Sequence, residues 1–387
     1  MNILIIKSSS FIQPDIEEAF SLLGHILYPV TVPPADEKEQ NSYLQALITN
    51  IKACSPDFVF SLNFYPFISY ACELLGLRYI AWLVNSYHPD YFSPAIRNGQ
   101  TWLFVSDSVL AEELRDLNAA HVSFLPLAAG LPRINRLLGQ NYDHSLFNCD
   151  VSLFGNILSR DELNPHPLST DNALKDFTKG YLEGCIACQH QARFFPPVSE
   201  NLPAYVWEDL SENFPINREN SLESAPHYFD QNYFNPIITY TDREIHFNSL
   251  SEQSRFETIY LYSRTNVTSE KIIHRPLEEY KDKLPWIAQN STINLVITHR
   301  NYKAAIPASA WEIMASRGFL LCNMQTDFQV FPSLNPILYQ TDMELLSKAA
   351  YFFHHEAERK EITAELYKEV AERHTYEERL KEMLSVL

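Results

Sequence analysis

The sequence predicts an α/β protein made of two parallel-sheet units in series, facing each other across a cleft. Three observations predict it. Short, continuous apolar runs alternate with amphipathic stretches through residues 1–130, the pattern of strands buried on both faces by crossover helices. Pro126 and Pro132 bracket a small-residue segment, Leu127–Leu131, that reads as the start of a linker. A second alternating series then begins at Asp150–Gly155. With 387 residues, the chain is long enough for two cores.

In the first unit, Asn2–Lys7 reads as a buried strand, Asp15–Leu23 as a helix and His25–Val32 as a second strand. A polar helix over about Lys38–Ala53 leads to the strand Asp57–Leu62. Pro66 opens a helix through Leu75, because proline fits a first helical turn. Tyr79–Val84 and Thr101–Val105 are the next strands, Ser108–Leu117 is a helix with Asp107 as its N-cap, and Val122–Leu127 closes the series. In the second unit, a mainly helical polar region (about Leu168–Glu223) and a proline- and aromatic-rich stretch to about Asn235 follow the first strand. Strands resume at Thr258–Tyr262, Lys271–His274, Ile293–Thr298, Phe319–Cys322 and Pro336–Tyr339, and a helical, charge-rich tail runs over Ala349–Leu387. The expected division is 1–145, 146–365 with an insertion at about 165–255, and a C-terminal helix at 366–387.

Hydrophobic residues make up 46% and charged residues 20%, which is globular and argues against disorder. The formal charge of −18 makes the chain a poor ligand for a nucleic-acid backbone or an anionic membrane. The greasiest stretch, Phe58–Val84, is interrupted by Asn63, Pro66, Glu73 and Arg78, so no membrane span is expected. MNILIIKSSS lacks the basic n-region and cleavage site of a signal peptide. Six scattered cysteines do not make a disulfide scaffold, and the expected location is the cytoplasm. Cys185 and Cys188 form a C-x-x-C pair near His190 on one predicted helix face. With no second ligand pair at zinc spacing, they read as buried core thiols, with metal or redox function as the alternative.

Absent motifs narrow the classes further. There is no G-x-x-x-x-G-K-[ST], and the turn after the first strand is Lys7-Ser8-Ser9-Ser10 where a G-x-G-x-x-G would stand. No G-x-S-x-G elbow or H-E-x-x-H helix occurs. The most informative stretch is Ile293–Asp327: an apolar strand, a polar loop with a proline, a short helix carrying Glu312, and a second apolar strand. Ligands of open α/β sheets gather at the carboxyl ends of strands, and a carboxylate there can accept hydrogen bonds from two neighbouring hydroxyls, as on a sugar or ribose. A solvated surface glutamate of an ordinary βαβ unit is the plain alternative.

The residues carry a family resemblance. INLVIT, AIPASAWEIMASRGFLLCN, a polar stretch with Phe331 and the tail with His374-Thr375-Tyr376 resemble the CgeB-type (spore-maturation-like) glycosyltransferases, a branch of the GT-B glycosyltransferases. DFVFSLNFYP, RYIAWLVNS, LFVSD, FLPLAA and DVSLFGN are similar in the same order, so the resemblance spans roughly three quarters of the chain and leaves out about 165–255. It implies two Rossmann-like domains, a nucleotide-sugar donor on the C-terminal one, an acceptor (glycan or protein) on the N-terminal one, and no metal or other cofactor.

By this resemblance Glu312 grips the ribose hydroxyls and Arg300 neutralises the diphosphate leaving group. Gly155 and Asn156 bring backbone close to donor phosphate; Asn323 is a weaker candidate for the same pocket. The chain departs from the family at Ala305, where a glycine is usual, at Ala308-Ser309, where an arginine is often found, and at Asn85-Ser86-Tyr87 in place of D-S-P. His88 and Asp90 are then the candidate bases, with an inert loop histidine as the alternative for His88. Trp82 and Trp311 read as core. The leading expectation is a metal-independent transferase moving a sugar from a nucleotide sugar to an acceptor hydroxyl. A catalytically silent glycosyltransferase-like subunit with a protein partner is the alternative, favoured by Ala305 and Asn85, and a sugar-nucleotide epimerase is a third.

Overall fold

A computed structural model describes residues 1–34, 37–155, 175–190, 196–214, 220–264, 271–330 and 337–387. The central apolar runs become strands buried along nearly their whole length, whereas the edge strands Ile26–Thr31, His121–Phe124 and Ile272–Pro276 are partly exposed. In β1 (Asn2–Lys7), Ile3 to Ile6 are wholly buried, as a strand covered on both faces requires. Helix α1 (Gln13–Leu22), β2 (Ile26–Thr31), α2 (Glu37–Cys54), β3 (Phe58–Leu62), α3 (Pro66–Leu75), β4 (Tyr79–Leu83), β5 (Thr101–Val105), α4 (Ser108–Asp116) and β6 (His121–Phe124) follow. Among the described residues the first sheet is parallel, in the order β2-β1-β3-β4-β5-β6.

Helix α5 (Leu131–Leu138) carries the chain to β7 (Cys149–Phe154). The insertion follows: α6 (Asp176–His190), α7 (Ala204–Asn213), α8 (Ala225–Phe229), a π-helical turn (Asp230–Phe234) and α9 (Asn235–Ser251). The second sheet continues through β8 (Ile259–Ser263), β9 (Ile272–Pro276), α10 (Leu277–Asn290), β10 (Ser291–Val296), α11 (Ala308–Ala315), β11 (Leu320–Asn323) and β12 (Leu338–Tyr339). It too is parallel, in the order β12-β11-β10-β7-β8-β9. Strand order reverses between β7 and β10, so their carboxyl ends flank a switch point, the usual ligand crevice of such sheets.

The tail, expected as one helical run, is α12 (Asp342–His354), α13 (Glu356–Arg373) and α14 (Tyr376–Ser385). The last break is chemically determined. Thr375 Oγ1 accepts the Glu378 N–H at 3.4 Å, a Thr-x-x-Glu cap that restarts the helix in a new direction. The Ala129 N–H donates to the His374 carbonyl at 3.1 Å, and Tyr376 meets Trp82 edge-on, so α14 lies back on the first unit. One hydrophobic cluster consequently runs from Ile3 and Trp82 through Tyr376 and Met383 to Trp311 and Leu321. The insertion has its own small core around Leu182, Val206, Phe229 and Ile238.

The stretch read as proline- and aromatic-rich is helical. Ser224 caps it by accepting the His227 N–H at 3.3 Å, Pro226 occupies its first turn, and the aromatics face the insertion core. Among the described residues, no helix is long and apolar enough to cross a membrane.

Candidate functional site

The two sheets meet along a cleft, and three of the polar contacts across it bear most directly on the site. The first is a buried carboxylate–guanidinium–carboxylate triad. Arg133, on the linking helix α5, sends Nη2 to both Glu312 oxygens at 2.6 and 2.7 Å and Nε to both Asp15 oxygens at 2.8 and 3.1 Å. Glu312 is only 1% exposed. Burial pushes its carboxyl up to about 7, against the pull of Arg133 and with a push from Asp15. Asp15 is likewise raised by burial. Two carboxyls share one guanidinium away from water, so holding one proton between them is the electrostatically natural state. Gly130 belongs to this cluster because a Cβ there would run into the Asp15 carboxylate.

The second contact is made by Asp107. Its Oδ1 caps α4, accepting from Val109 and Leu110 N–H at 3.0 and 3.2 Å. Its Oδ2 crosses to the second unit and accepts the successive N–H groups of Lys303, Ala304 and Ala305 at 2.8, 2.9 and 3.1 Å. Three convergent backbone donors are an anion seat, and here a carboxylate of the same chain fills it. Ser108 adds the third contact, donating from N and Oγ to Asp327 at 3.2 and 2.5 Å.

At the switch point stands Arg243, from α9 of the insertion. It donates from Nε and Nη2 to the Ile297 carbonyl at 3.3 and 3.1 Å, and burial pulls its pKa down. Gly155, ending β7, lies directly beneath it. Its φ is +148°, and a Cβ would come within 2.9 Å of the guanidinium carbon. The glycine thus brings backbone close to a cation.

A polar cavity of about 490 Å³ opens where α4, the loop after β10 and the insertion converge. Arg300 and Lys303 line it from the second unit, Glu113 from α4, and His227, Asp230 and Gln231 from the insertion. Burial raises the Asp230 carboxyl to about 6, although Ser199 donates to it from N at 3.1 Å and also from Oγ.

The sequence candidates divide into three groups. Gly155 follows β7 at the carboxyl edge of the second sheet, Arg300 lines the cavity, and Glu312 is buried on α11 within the triad, off the cavity lining. Arg300 is tied to the insertion: Nε bonds Asp242 at 2.8 Å, Nη2 bonds the Gln189 carbonyl at 3.1 Å, and its backbone N–H reaches Thr239 at 2.9 Å. Asn323 spends its carbonyl on the Thr298 N–H at 2.8 Å, tying the end of β11 to the end of β10. His88 and Asp90 sit together on the partly exposed loop after β4, 3.5 Å apart, with burial raising Asp90. Asn156 and Phe331 lie outside the described residues. Trp82 and Trp311 are fully buried, but Cys185 and Cys188 are not the buried core thiols expected: on α6, Cys185 is half-buried at the margin of the insertion core and Cys188 exposed, because the helix turns that face outward from it. Among the described residues, no three His, Cys, Asp or Glu side chains gather as metal ligands.

Sequence reading missed Arg133, the second oxygen of Asp107, Arg243, and the pair Glu223–His227. Only the last had a signal, an i,i+4 acid–histidine spacing, which carries meaning once that stretch is known to be helical.

Known proteins bear on this arrangement. Residues 254–385 match the family described as glycosyl transferase-like. No curated protein matches. Among solved structures, a trehalose-6-phosphate synthase superposes with a TM-score of 0.56 at 10% identity, covering 100% of this chain and 98% of that one. A glycosyltransferase from Rickettsia africae gives 0.52 at 11%, covering 100% and 97%. A trehalose-6-phosphate structure from E. coli, bound with UDP-2-fluoro glucose, gives 0.52 at 9%, covering 100% and 98%. The chain has the GT-B fold. Two Rossmann-like domains, a helical insertion in the second and C-terminal helices returning to the first are its architecture. At these identities the likeness concerns fold, and function has to be argued from the site.

Proposed function

We propose that this chain is a cytoplasmic, CgeB-type, metal-independent glycosyltransferase that moves a sugar from a nucleotide-sugar donor to an acceptor hydroxyl. The observation that carries the reading is the carboxyl edge of the second sheet. In a chain of net charge −18, the cations Arg243, Arg300 and Lys303 gather there, beside a loop whose three N–H groups converge on an anion seat. A nucleoside diphosphate is the anionic ligand that suits such an edge, and its developing charge as leaving group is what these groups would stabilise. The donor is assigned to the C-terminal unit, about 146–365, with Glu312 for the ribose hydroxyls. Arg133 must release Glu312 for that bond to form. The acceptor is assigned to the side facing the N-terminal unit.

A second reading has a specific observation behind it. Glu312 is sealed by Arg133, and the loop N–H groups by Asp107, so both donor-binding features are already satisfied within the chain. A silent partner subunit would keep them so. The discriminating experiment is incubation of the full chain with UDP-, GDP- and dTDP-sugars, followed by mass spectrometry. Release of nucleoside diphosphate and sugar from one donor supports the transferase. Recovery of every donor intact, with none bound, sinks it in favour of the silent subunit.

A further inference from the structure

The insertion cavity contains an oriented acid–histidine pair that the donor-side reading does not use. His227 places Nδ1 2.6 Å from Glu223 Oε1, and the Glu223 side chain is wholly buried. The other Glu223 oxygen accepts from the Tyr87 hydroxyl at 3.2 Å, and Tyr87 in turn accepts from Asn232 Nδ2 at 3.0 Å. An ammonium can only donate, so Lys303 Nζ beside Nε2 makes that nitrogen the acceptor and puts the ring proton of the neutral imidazole on Nδ1, facing Glu223. The ring is further held against Phe92, with centroids 4.9 Å apart. Nε2 lies 3.1 Å from Lys303 Nζ, and Lys303 also bonds Glu113. Lys303 belongs to the loop with the anion seat. A diphosphate arriving there would draw the flexible ammonium away and free the Nε2 lone pair.

The cavity also presents acceptors that lack donors. Gln231 is 4% exposed and lines the cavity, yet its Oε1 has no hydrogen-bond partner among the described residues. Glu113 Oε2 is in the same condition and lies 3.9 Å from His227 Nε2. Buried acceptors of this kind are satisfied by O–H donors, and a molecule carrying several hydroxyls supplies them at once. With Arg300 and Lys303 assigned to the donor diphosphate, the other charged groups on the lining, Glu113, Glu200 and Asp230, are acidic, which disfavours a phosphorylated acceptor.

From the Glu223–His227 pair and the unpartnered acceptors around it, we infer that this cavity takes an uncharged carbohydrate acceptor and that His227 is the base that deprotonates its hydroxyl, with Glu223 as its positioning residue. The inference rests on the transferase reading. In the step, the acceptor O–H proton passes to Nε2 and the oxygen forms a bond to the anomeric carbon. The bond from that carbon to the phosphate oxygen breaks, and its electron pair leaves on the nucleoside diphosphate. The groups facing the imidazole are Glu223, Lys303, Glu113 and Asp230, together with the Tyr87 ring.

The test compares wild type, His227→Gln, His227→Ala and Glu223→Gln, all shown by thermal melting to be folded. The probes are UDP-glucose, GDP-mannose and dTDP-glucose, with water, glucose or maltose as acceptor. His227→Gln should lower turnover at least about 100-fold while leaving donor affinity within twofold. Added imidazole should restore part of the His227→Ala rate. Glu223→Gln should cost roughly tenfold and displace the rising limb of the pH–rate profile to lower pH, because the carboxylate that supports an imidazolium is gone. Wild-type turnover with His227→Gln within threefold of it would overturn the base and leave the transferase reading standing. A wild type that neither binds nor consumes any donor would refute that reading itself, and the base with it.

Discussion

Replacing Glu312 with glutamine should flatten the dependence of stability on pH, and the structure sets both sign and size. The Glu312 carboxyl is 1% exposed and held at about 7, while a glutamate in the unfolded chain titrates near 4.5. Between those values the folded protein keeps a proton that the unfolded chain has lost. Unfolding therefore releases protons, and stability falls as pH rises. The contribution is fully present below 4.5 and is lost as pH passes through 7. A gap from 4.5 to about 7 corresponds to about 3 kcal/mol, since each tenfold change in proton affinity is about 1.4 kcal/mol. Urea unfolding followed by tryptophan fluorescence at pH 5, 6, 7 and 8 measures it. The wild type should lose about 2–3 kcal/mol more across that range than Glu312→Gln does. Parallel curves, or a wild type that gains stability relative to the variant as pH rises, would refute the shared-proton account of the triad.

Two further substitutions probe the contacts across the cleft. Arg133→Met should cost about 3–5 kcal/mol at pH 8, where it leaves Asp15 and Glu312 buried without their cation, and much less at pH 5, where both can hold protons; denaturant titration at the two pH values reads the difference. Asp107→Ala removes a helix cap and strands three loop N–H groups, so a loss of about 3 kcal/mol in thermal unfolding is expected, with partial recovery in Asp107→Asn. A loss below about 0.5 kcal/mol would mean that water serves those donors equally well.

Much of the fold was legible because a parallel strand covered on both faces has to be a continuous apolar run. Ile3-Leu4-Ile5-Ile6, Phe58-Val59-Phe60 and Leu320-Leu321 announce themselves for that reason, and all are buried. The start of α4 was equally readable, since aspartate before an amphipathic run is a capping signal. Its second role was not, because nothing local says that Oδ2 will meet a loop nearly 200 positions later. Arg133 was hidden in the same way: on a short linking helix its charge looks solvated, and only the docking of α1, α5 and α11 makes it the centre of a buried triad. The helices Ala225–Phe229 and Asn235–Ser251 escaped because the stretch to Asn235 reads as proline- and aromatic-rich, although Pro226 and Pro236 each stand in the first turn of one of them. With those helices went Arg243 and the Glu223–His227 pair, so the insertion's polar groups were given no role in the sequence reading.

The most direct test of the central claim, a nucleotide-sugar site on the second unit, is calorimetric binding of UDP-, GDP- and dTDP-sugars to the wild type and to Glu312→Ala at one salt concentration. The account predicts saturable binding of at least one donor by the wild type, weakened at least about tenfold, or about 1.4 kcal/mol, in the variant. Equal affinity in the two proteins, or no binding of any donor to the wild type, would contradict it.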